Sequence, residues 1–258
     1  MGPLDGREWL EPMSNGTRPV SRSSVLGAQS LSIIERTWGQ RSGELLISEP
    51  ILVGEALPST PSPERLSSSV EVNRWRSVNS RLNVQGARLF AQFHLTLSAE
   101  VPSIAGPREE DLDRAFELLR DAAENALDAG FEGIELAVRP QTLAGELLDL
   151  DGTLVCELLQ VLIDVWGSGH VGVNVAPSQV VGLARELVTF RRQELAWLHV
   201  RPCTAVMASR SVGAWRRHWR DTLLVSGSFD ASLAQLLQRT GLIDGVGVSL
   251  ERDGTLLQ

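Results

Sequence analysis

The sequence predicts an α/β protein of the (β/α)8 TIM-barrel class, and three observations support this. Eight β-rich runs recur along the 258 residues with helical segments between them, which is typical of parallel β/α units. Several runs are continuously apolar, such as Leu223-Leu224-Val225, as expected of strands covered on both faces. A hydrophobic content of 43% and a length of 258 residues fit one such domain over residues 1–258.

The strands and helices follow in order along the chain. The candidate strands are 9–13, 45–53, 88–95, 133–138, 171–176, 196–200, 222–225 and 245–250. The clearest helix is predicted between Glu110 and Ala129, where apolar residues recur at three- and four-residue steps and Gly130 supplies the stop. Further helices are predicted over 153–165, 180–191 and 232–239. The sequence ends at Gln258 with no closing helix predicted after the eighth strand, so we expect a barrel shortened at the C-terminus.

The segment 55–70 is predicted to be a long irregular loop, because it holds three prolines and five serines between the second strand and its helix. In a barrel, a loop that follows a strand lies on the active-site face and often acts as a lid. A surface loop of no catalytic consequence is the alternative.

Two absences from the composition exclude several kinds of chemistry. All 24 basic residues are arginine, which excludes Schiff-base lysines and a phosphate-loop lysine. The chain has no tyrosine, so no phenol can act as a general acid. Two cysteines, Cys156 and Cys203, are too few for a disulfide framework and are predicted to be small buried residues. The four histidines lack metal-ligand spacing, so no metal site is expected.

Charge and hydropathy indicate a cytoplasmic protein with a small-molecule substrate. The net charge of −8 argues against nucleic acid as a partner. No apolar run reaches the roughly 20 residues that cross a bilayer, and the N-terminus lacks the pattern of a signal peptide, so no membrane partner is expected. A homo-oligomer or a protein partner is compatible with these features.

Four short motifs resemble the old yellow enzyme family, whose members are FMN-dependent ene-reductases with a TIM-barrel fold. Glu11-Pro12-Met13-Ser14 is similar to the first-strand Ala-Pro-Met-Thr/Cys of that family. The segments 43–50 and 86–94 are similar to the family's second and third strands, and 129–136 is similar to its fourth strand. The resemblance implies a barrel that binds FMN.

The resemblance also implies which residues contact the flavin. Ser14 and Gln92 stand where the family's side chains contact the flavin ring. The segment Ser226-Gly227-Ser228 is similar to the seventh-strand turn whose backbone N–H groups hold the phosphate. His94 lies one residue nearer to the glutamine than the family's usual histidine.

The chain departs from the family where the family's reaction takes place. The fourth strand of the family continues into a His-x-x-Asn pair and then a tyrosine, and these positions are here Ala137, Pro140 and Thr142. The fifth-strand arginine that neutralises reduced flavin is here Asn174. The eighth-strand Gly-Arg of the phosphate site becomes Ser249-Leu250. We therefore interpret the chain as a degenerate member that has lost its reductase residues.

Candidate site residues lie at the carboxyl ends of the predicted strands, where barrel active sites form. Arg139, Glu49 and His94 are the catalytic candidates. The substrate-binding candidates are Ser14, Asn15, Gln92, Asn174 and Arg201. The guanidinium of Arg139 could hydrogen-bond a carbonyl or enolate oxygen, whereas a solvent-facing arginine is the alternative. For Glu49 and Glu135, simple inheritance of the family's strand sequence is the preferred interpretation.

Three functional hypotheses follow from these residues. The main one is a cofactor-independent cyclase or isomerase that acts on a conjugated carbonyl compound in bacterial specialised metabolism, which the lysine-free composition weakly indicates. The first alternative is an FMN-dependent oxidoreductase with an altered active site, holding FMN through Ser14, Gln92, Ser226, Gly227 and Ser228. The second is a non-catalytic partner protein that docks through the helix around Trp215 and Trp219, although packing of both indoles in the core is the favoured interpretation.

Overall fold

The computed structural model describes residues 25–26, 45–54, 65–84, 88–96, 108–140, 142–190, 195–220, 222–228 and 231–247. The strands are Val25–Leu26 (β1), Leu45–Gly54 (β2), Arg88–Thr96 (β3), Gly133–Val138 (β4), Val171–Val175 (β5), Trp197–Thr204 (β6), Leu223–Ser228 (β7) and Gly245–Gly247 (β8). The helices are Ser69–Val84 (α1), Glu109–Asp128 (α2), Leu143–Leu150 (α3), Gly152–Trp166 (α4), Val180–Phe190 (α5), Ala205–His218 (α6) and Ala231–Arg239 (α7).

The strands form one eight-stranded parallel sheet in the order in which they occur along the chain. Parallel neighbours need a crossover connection, and in the described residues helices supply it from β2 onwards. The predicted α/β class is therefore confirmed. Pairing of β8 with β1 is not among the strand pairs of the described residues, so closure into a complete barrel stays a prediction.

The two faces of the sheet differ in what covers them. Leu89, Ala91 and Phe93 of β3 belong to a large apolar cluster that also contains the buried residues of the helices. The alternate residue Phe90 belongs to a separate small cluster with Trp197 and Leu224, which we call the inner face. Among the described residues the helices cover one face only. Since inner-face residues are nevertheless buried, the sheet curls around them.

The inner face begins with an apolar floor in which large and small residues alternate. The rings of Phe90 and Trp197 meet edge to face, with centroids 4.9 Å apart. Gly133 and Gly172 stand on the intervening strands β4 and β5. A Cβ atom on Gly172 would lie 2.0 Å from Cε2 of Trp197, and one on Gly133 would lie 2.6 Å from Cε1 of Phe90. The two glycines therefore make room for the two rings.

Helix α2 shows how sequence sets the outer layer. Three acidic residues in its first turn favour the positive end of the helix dipole, and its buried stripe includes Leu119 and Ala123. Gly130 has a positive φ of 78°, a conformation that glycine adopts without strain, and the helix ends two residues before it. No described helix combines the length and the apolar character that a membrane crossing requires.

Most predicted elements agree with the structure to within a few residues, and the differences are local. The strand predicted at 9–13 lies outside the described residues, and Val25–Leu26 occupies the place beside β2. Strand β6 extends to Thr204, beyond the predicted end at residue 200, with a register shift against β7 between Val200 and Cys203. Helix α1 begins at Ser69, inside the segment predicted to be a loop, whereas residues 55–64 of that segment are not described.

Helix α3 follows β4 closely and was not predicted, because it has only eight residues. Its N-cap is Thr142, whose side-chain oxygen accepts a hydrogen bond from the backbone N–H of Gly145 at 3.2 Å. Of the two cysteines, Cys156 is fully buried as predicted, and burial raises the pKa of its thiol to about 11. The side chain of Cys203 is not described.

Candidate active site

A polar layer lies on the inner face beyond the apolar floor. Side chains alternate between the two faces of a strand, so residues two apart share a face. Strands β3 to β7 each contribute one member, and none of the five is more than 7% exposed. They are Gln92, Glu135, Asn174, His199 and Ser226.

The Glu135 carboxylate is the centre of this layer, and each of its two oxygens accepts two hydrogen bonds. Its Oε1 accepts from Gln92 Nε2 at 2.6 Å and from Asn174 Nδ2 at 3.1 Å. Its Oε2 accepts from Trp197 Nε1 at 3.0 Å and from His199 Nδ1 at 2.9 Å. A carboxylate has about four lone-pair positions, so none remains for a substrate.

These contacts keep Glu135 ionised. Complete burial opposes the charged form, but His199, the hydrogen bond from Trp197 and the charge of Arg201 outweigh it and lower the pKa of Glu135 to about 2. His199 lies against this carboxylate, whereas Arg139 turns towards Asn174.

A hydrogen-bonded chain continues from Glu135 through His199 to Ser226. Nδ1 of His199 donates to the carboxylate, so the other ring nitrogen, Nε2, is left for a second partner. The hydroxyl of Ser226 lies within hydrogen-bond distance of that Nε2. The Ser226 hydroxyl therefore has a buried protein partner of its own.

Arg139 reaches inwards from the end of β4. Its Nε donates to Asn174 Oδ1 at 2.6 Å, and its backbone N–H donates to Thr142 Oγ1 at 3.1 Å. Burial and the nearby charge of Arg201 lower the pKa of Arg139 to about 10, so it stays protonated at neutral pH. Its Nη2 is buried and has no hydrogen-bond partner. The solvent-facing alternative therefore does not describe this side chain.

Arg201 stands on the other side of β5 at the same height as Arg139. Val175 of β5 pairs with Val138 on one side and with Val200 on the other, and each arginine directly follows one of these two valines. Burial lowers the pKa of Arg201, and the charge of Glu135 partly offsets this. Two guanidiniums thus flank the end of β5.

Gln92 and His94 share the inner face of β3, and each leaves one buried atom unpaired. The backbone N–H of Gln92 donates to Ser48 Oγ at 3.0 Å, while its Oε1 has no hydrogen-bond partner. His94 is partly buried, and its Nε2 has none either. Burial, followed by the charges of Arg139 and Arg201, lowers the pKa of His94 to about 4, so the imidazole is neutral at physiological pH.

Thr142 does not replace the lost phenol. It is 2% exposed, and its hydroxyl donates to the carbonyl of Ala137 at 2.8 Å. The same oxygen accepts from the backbone N–H of Gly145 as the cap of α3. Since the hydroxyl already donates one hydrogen bond to the backbone and accepts another from it, Thr142 has no free proton for a ligand.

The remaining predicted residues are only partly described. Ser14, Asn15 and Ser249-Leu250 lie outside the described residues. Glu49 lies where the ladder of β2 shifts register against β3, and its side chain is not described. Gly227 and Ser228 are the last two residues of β7, and their surroundings are not described either.

Sequence reasoning missed Trp197 and His199 as members of the site. A usable signal existed, because both alternate with the candidate Arg201 along one strand and must share its face. The indoles of Trp215 and Trp219 pack in the outer apolar cluster, as the favoured interpretation held. Arg216 beside them forms an ion pair with Asp244.

No protein-family model matches the chain, but part of it is similar to a known oxidoreductase. NADP-dependent oxidoreductase lnbE of Aspergillus flavus is 30% identical over 132 positions, covering 41% of this chain and 35% of the relative. The chain therefore spans roughly a third of that relative's length.

Solved structures extend the likeness to nearly the whole chain. The crystal structure of TcOYE with pHBA has a TM-score of 0.72 at 16% identity, covering 94% of this chain and 89% of that one. The old yellow enzyme homologue from Zymomonas mobilis has a TM-score of 0.69 at 16% identity, covering 93% and 88%. The predicted resemblance to old yellow enzymes is thus confirmed at the level of the fold.

Proposed function

We propose that this chain is an FMN-dependent oxidoreductase of the old yellow enzyme type, with an altered active site, acting on a small conjugated carbonyl compound. The observation that carries the proposal is a pair of buried, unpaired atoms on neighbouring strands. Gln92 offers the acceptor Oε1, and Arg139 offers the donor Nη2. Unpaired buried polar atoms cost free energy, which a bound partner recovers.

The two unpaired atoms match the pyrimidine edge of a flavin, which carries both an N–H donor and carbonyl acceptors. Gln92 would accept from the N–H, and Arg139 would donate to the carbonyl side. Because Arg139 is hydrogen-bonded to Asn174, its guanidinium lies beside the position where the family carries its fifth-strand arginine. Asn174 was expected to remove the charge that compensates reduced flavin. That expectation is revised, because the guanidinium of Arg139 supplies a positive charge next to Asn174.

The end of β7 would hold the phosphate of FMN through its backbone. The hydroxyl of Ser226 is committed to His199, so we assign the phosphate to the backbone N–H groups at the end of β7, at Gly227 and Ser228. Backbone N–H groups at the margin of a sheet can bind anions. FMN, when bound, would supply hydride-transfer chemistry, and the likeness to an NADP-dependent oxidoreductase favours NADPH as the reductant.

The chain's own residues would orient the substrate and stabilise charge. Arg139 and Arg201 are cations at neutral pH that can hydrogen-bond a carbonyl oxygen as negative charge develops on it. None of these groups is a good acid near pH 7. The arginines hold their protons, His94 is neutral, and the hydroxyl of Thr142 already donates to the backbone. We therefore assign to these described residues the binding and polarisation of the carbonyl, without its direct protonation.

A cofactor-independent cyclase or isomerase is the second candidate, and one observation favours it. The three positions of the family's donors hold Ala137, Pro140 and Thr142, and the hydroxyl of Thr142 is used up in capping α3. A site that lacks a proton donor but keeps cationic hydrogen-bond donors can still stabilise an enolate. The two candidates differ in whether the protein holds a flavin.

Flavin binding is tested by the absorbance spectrum of the purified protein with and without added FMN. We expect a flavin spectrum that survives desalting and is released on denaturation. Arg139→Met should weaken FMN binding about tenfold or more, because a buried charged hydrogen bond is worth about 1.5–3 kcal/mol. The matched control is Arg217→Met, which removes an exposed arginine from α6.

Two further measurements complete this test. A protein that holds FMN should consume NADPH in the presence of a conjugated enone. A colourless protein that does not retain added FMN would contradict the proposal and leave the cyclase or isomerase candidate.

A further inference from the structure

The ends of β4 and β6 bring more positive than negative charge to the candidate site. Arg139 and Arg201 face inwards at equal height, one on each side of β5. Glu135 is the carboxylate that acts on both of them among the described side chains. Since its four lone-pair positions are taken by neutral donors and His199, it does not form an ion pair with either arginine.

The two arginines differ in the hydrogen bonds that their guanidinium groups make to described side chains. Arg139 is anchored through Nε to Asn174, and its place matches the flavin-facing arginine of the proposed function. No hydrogen bond joins the guanidinium of Arg201 to another described side chain. Neutral His94, with its buried unpaired Nε2, lies close enough to both for their charges to affect it. The site therefore offers a second cationic fork and a neutral imidazole beside it.

We infer that this site selects anionic substrates, namely conjugated carbonyl compounds that carry a carboxylate, and that Arg201 binds the carboxylate. The planar guanidinium matches a carboxylate with two parallel hydrogen bonds, and partial burial strengthens the pair. The inference names the substrate class of the proposed oxidoreductase and rests on that proposal for the reaction. The binding step itself requires no flavin.

Binding of a matched pair of probes to flavin-free protein tests this inference. The probes are 4-oxo-4-phenylbut-2-enoate and its methyl ester, which share the conjugated ketone and differ in charge. By isothermal titration calorimetry the acid should bind at least about tenfold more tightly than the ester, as expected for a charged hydrogen-bonded pair. Equal affinities for the acid and the ester would overturn the inference.

Variants of Arg201 identify the residue responsible. Arg201→Met should abolish the preference, so that this variant binds the acid and the ester equally well, and Arg201→Lys should retain part of the preference. Arg217→Met serves as the surface control and should behave as the original protein. A preference that survives Arg201→Met, in a variant shown to be folded by its thermal transition, would overturn the assignment.

The same titration with saturating FMN separates a substrate carboxylate from the anionic group of the cofactor. If both bind together, Arg201 serves the substrate. If FMN displaces the acid competitively, Arg201 serves the cofactor and the inference fails. A protein that binds no FMN but prefers the acid through Arg201 would refute the proposed oxidoreductase while leaving the anion selectivity intact.

Discussion

The carboxylate of Glu135 receives its four hydrogen bonds from three strands, namely β3, β5 and β6. Its neighbours are nearly inaccessible to water, so a donor that loses this acceptor has no replacement. The residue is therefore a structural centre, although it lies among candidate catalytic groups. This agrees with the interpretation that Glu135 is inherited with the strand.

Replacing Glu135 by glutamine should destabilise the fold by about 3 kcal/mol, because an amide NH2 group would face two buried donors and the negative charge beside His199 would be lost. Urea unfolding followed by circular dichroism measures the effect. Glu124→Gln, at an exposed position of α2, is the control and should change the free energy of unfolding by less than about 0.5 kcal/mol. A Glu135→Gln variant as stable as the control would refute this role.

The positions of single candidate residues were predictable, because barrel sites form at the carboxyl ends of strands. Gln92, Arg139, Asn174 and Arg201 were selected on this basis, and the structure places them at one end of the sheet. The hydrogen bond between Arg139 and Asn174 was not predictable, because it joins side chains 35 positions apart. Such contacts depend on how neighbouring strands are aligned, which one sequence does not reveal.

At the scale of elements, complementary residue sizes on adjacent strands shape the floor of the site. Trp197 of β6 fills the space that Gly172 of β5 leaves free, and the indole N–H then reaches Glu135. Strand β5 therefore affects the polar layer through a residue without a side chain. Any side chain at residue 172 must displace the indole.

Gly172→Ala should destabilise the protein by about 1–3 kcal/mol, since overpacking moves Trp197 and weakens its hydrogen bond to Glu135. Differential scanning calorimetry detects this as a lower melting temperature. Gly182→Ala in α5 is the matched control, because nothing lies within 4 Å of its added Cβ and alanine favours a helix. A Gly172→Ala variant that melts at or above the temperature of this control would contradict the packing argument.

Elements were predictable where hydrophobic periodicity was long or continuous. The predicted bounds of β4 agree with the structure, and α2 lies within one residue at each end. Helix α3 escaped prediction because its eight residues are too few for a clear period, and tertiary contact with α4 supports it. The extension of β6 to Thr204 passes through Pro202, which sequence reasoning treats as a strand end.

For the whole molecule, burial of titratable groups makes stability depend on pH. The pKa of Glu135 is about 2 in the folded state against an ordinary 4.5, so its contribution is complete above about pH 4.5 and is lost as pH falls towards 2. The pKa of His94 is about 4 against 6.5. The unfolded chain therefore binds a proton that the folded state refuses, and stability falls as pH drops from 6.5 to 4.

Replacing His94 by asparagine should flatten the loss of stability between about pH 6.5 and 4 and leave the steeper acid limb below it unchanged. Urea midpoints measured across this interval provide the test. His218→Asn, at the exposed end of α6, is the control and should follow the original curve. If the His94→Asn curve runs parallel to the original one, His94 is not a buried neutral group.

The saturation of Glu135 has a consequence for how this protein can evolve. Its hydrogen bonds connect β4 to β3, β5 and β6 and involve none of residues 137, 140 and 142. Mutation can therefore alter those three positions while the hydrogen-bonded layer around Glu135 keeps its structure. A fold divided in this way can lose one reaction and acquire another by successive small steps.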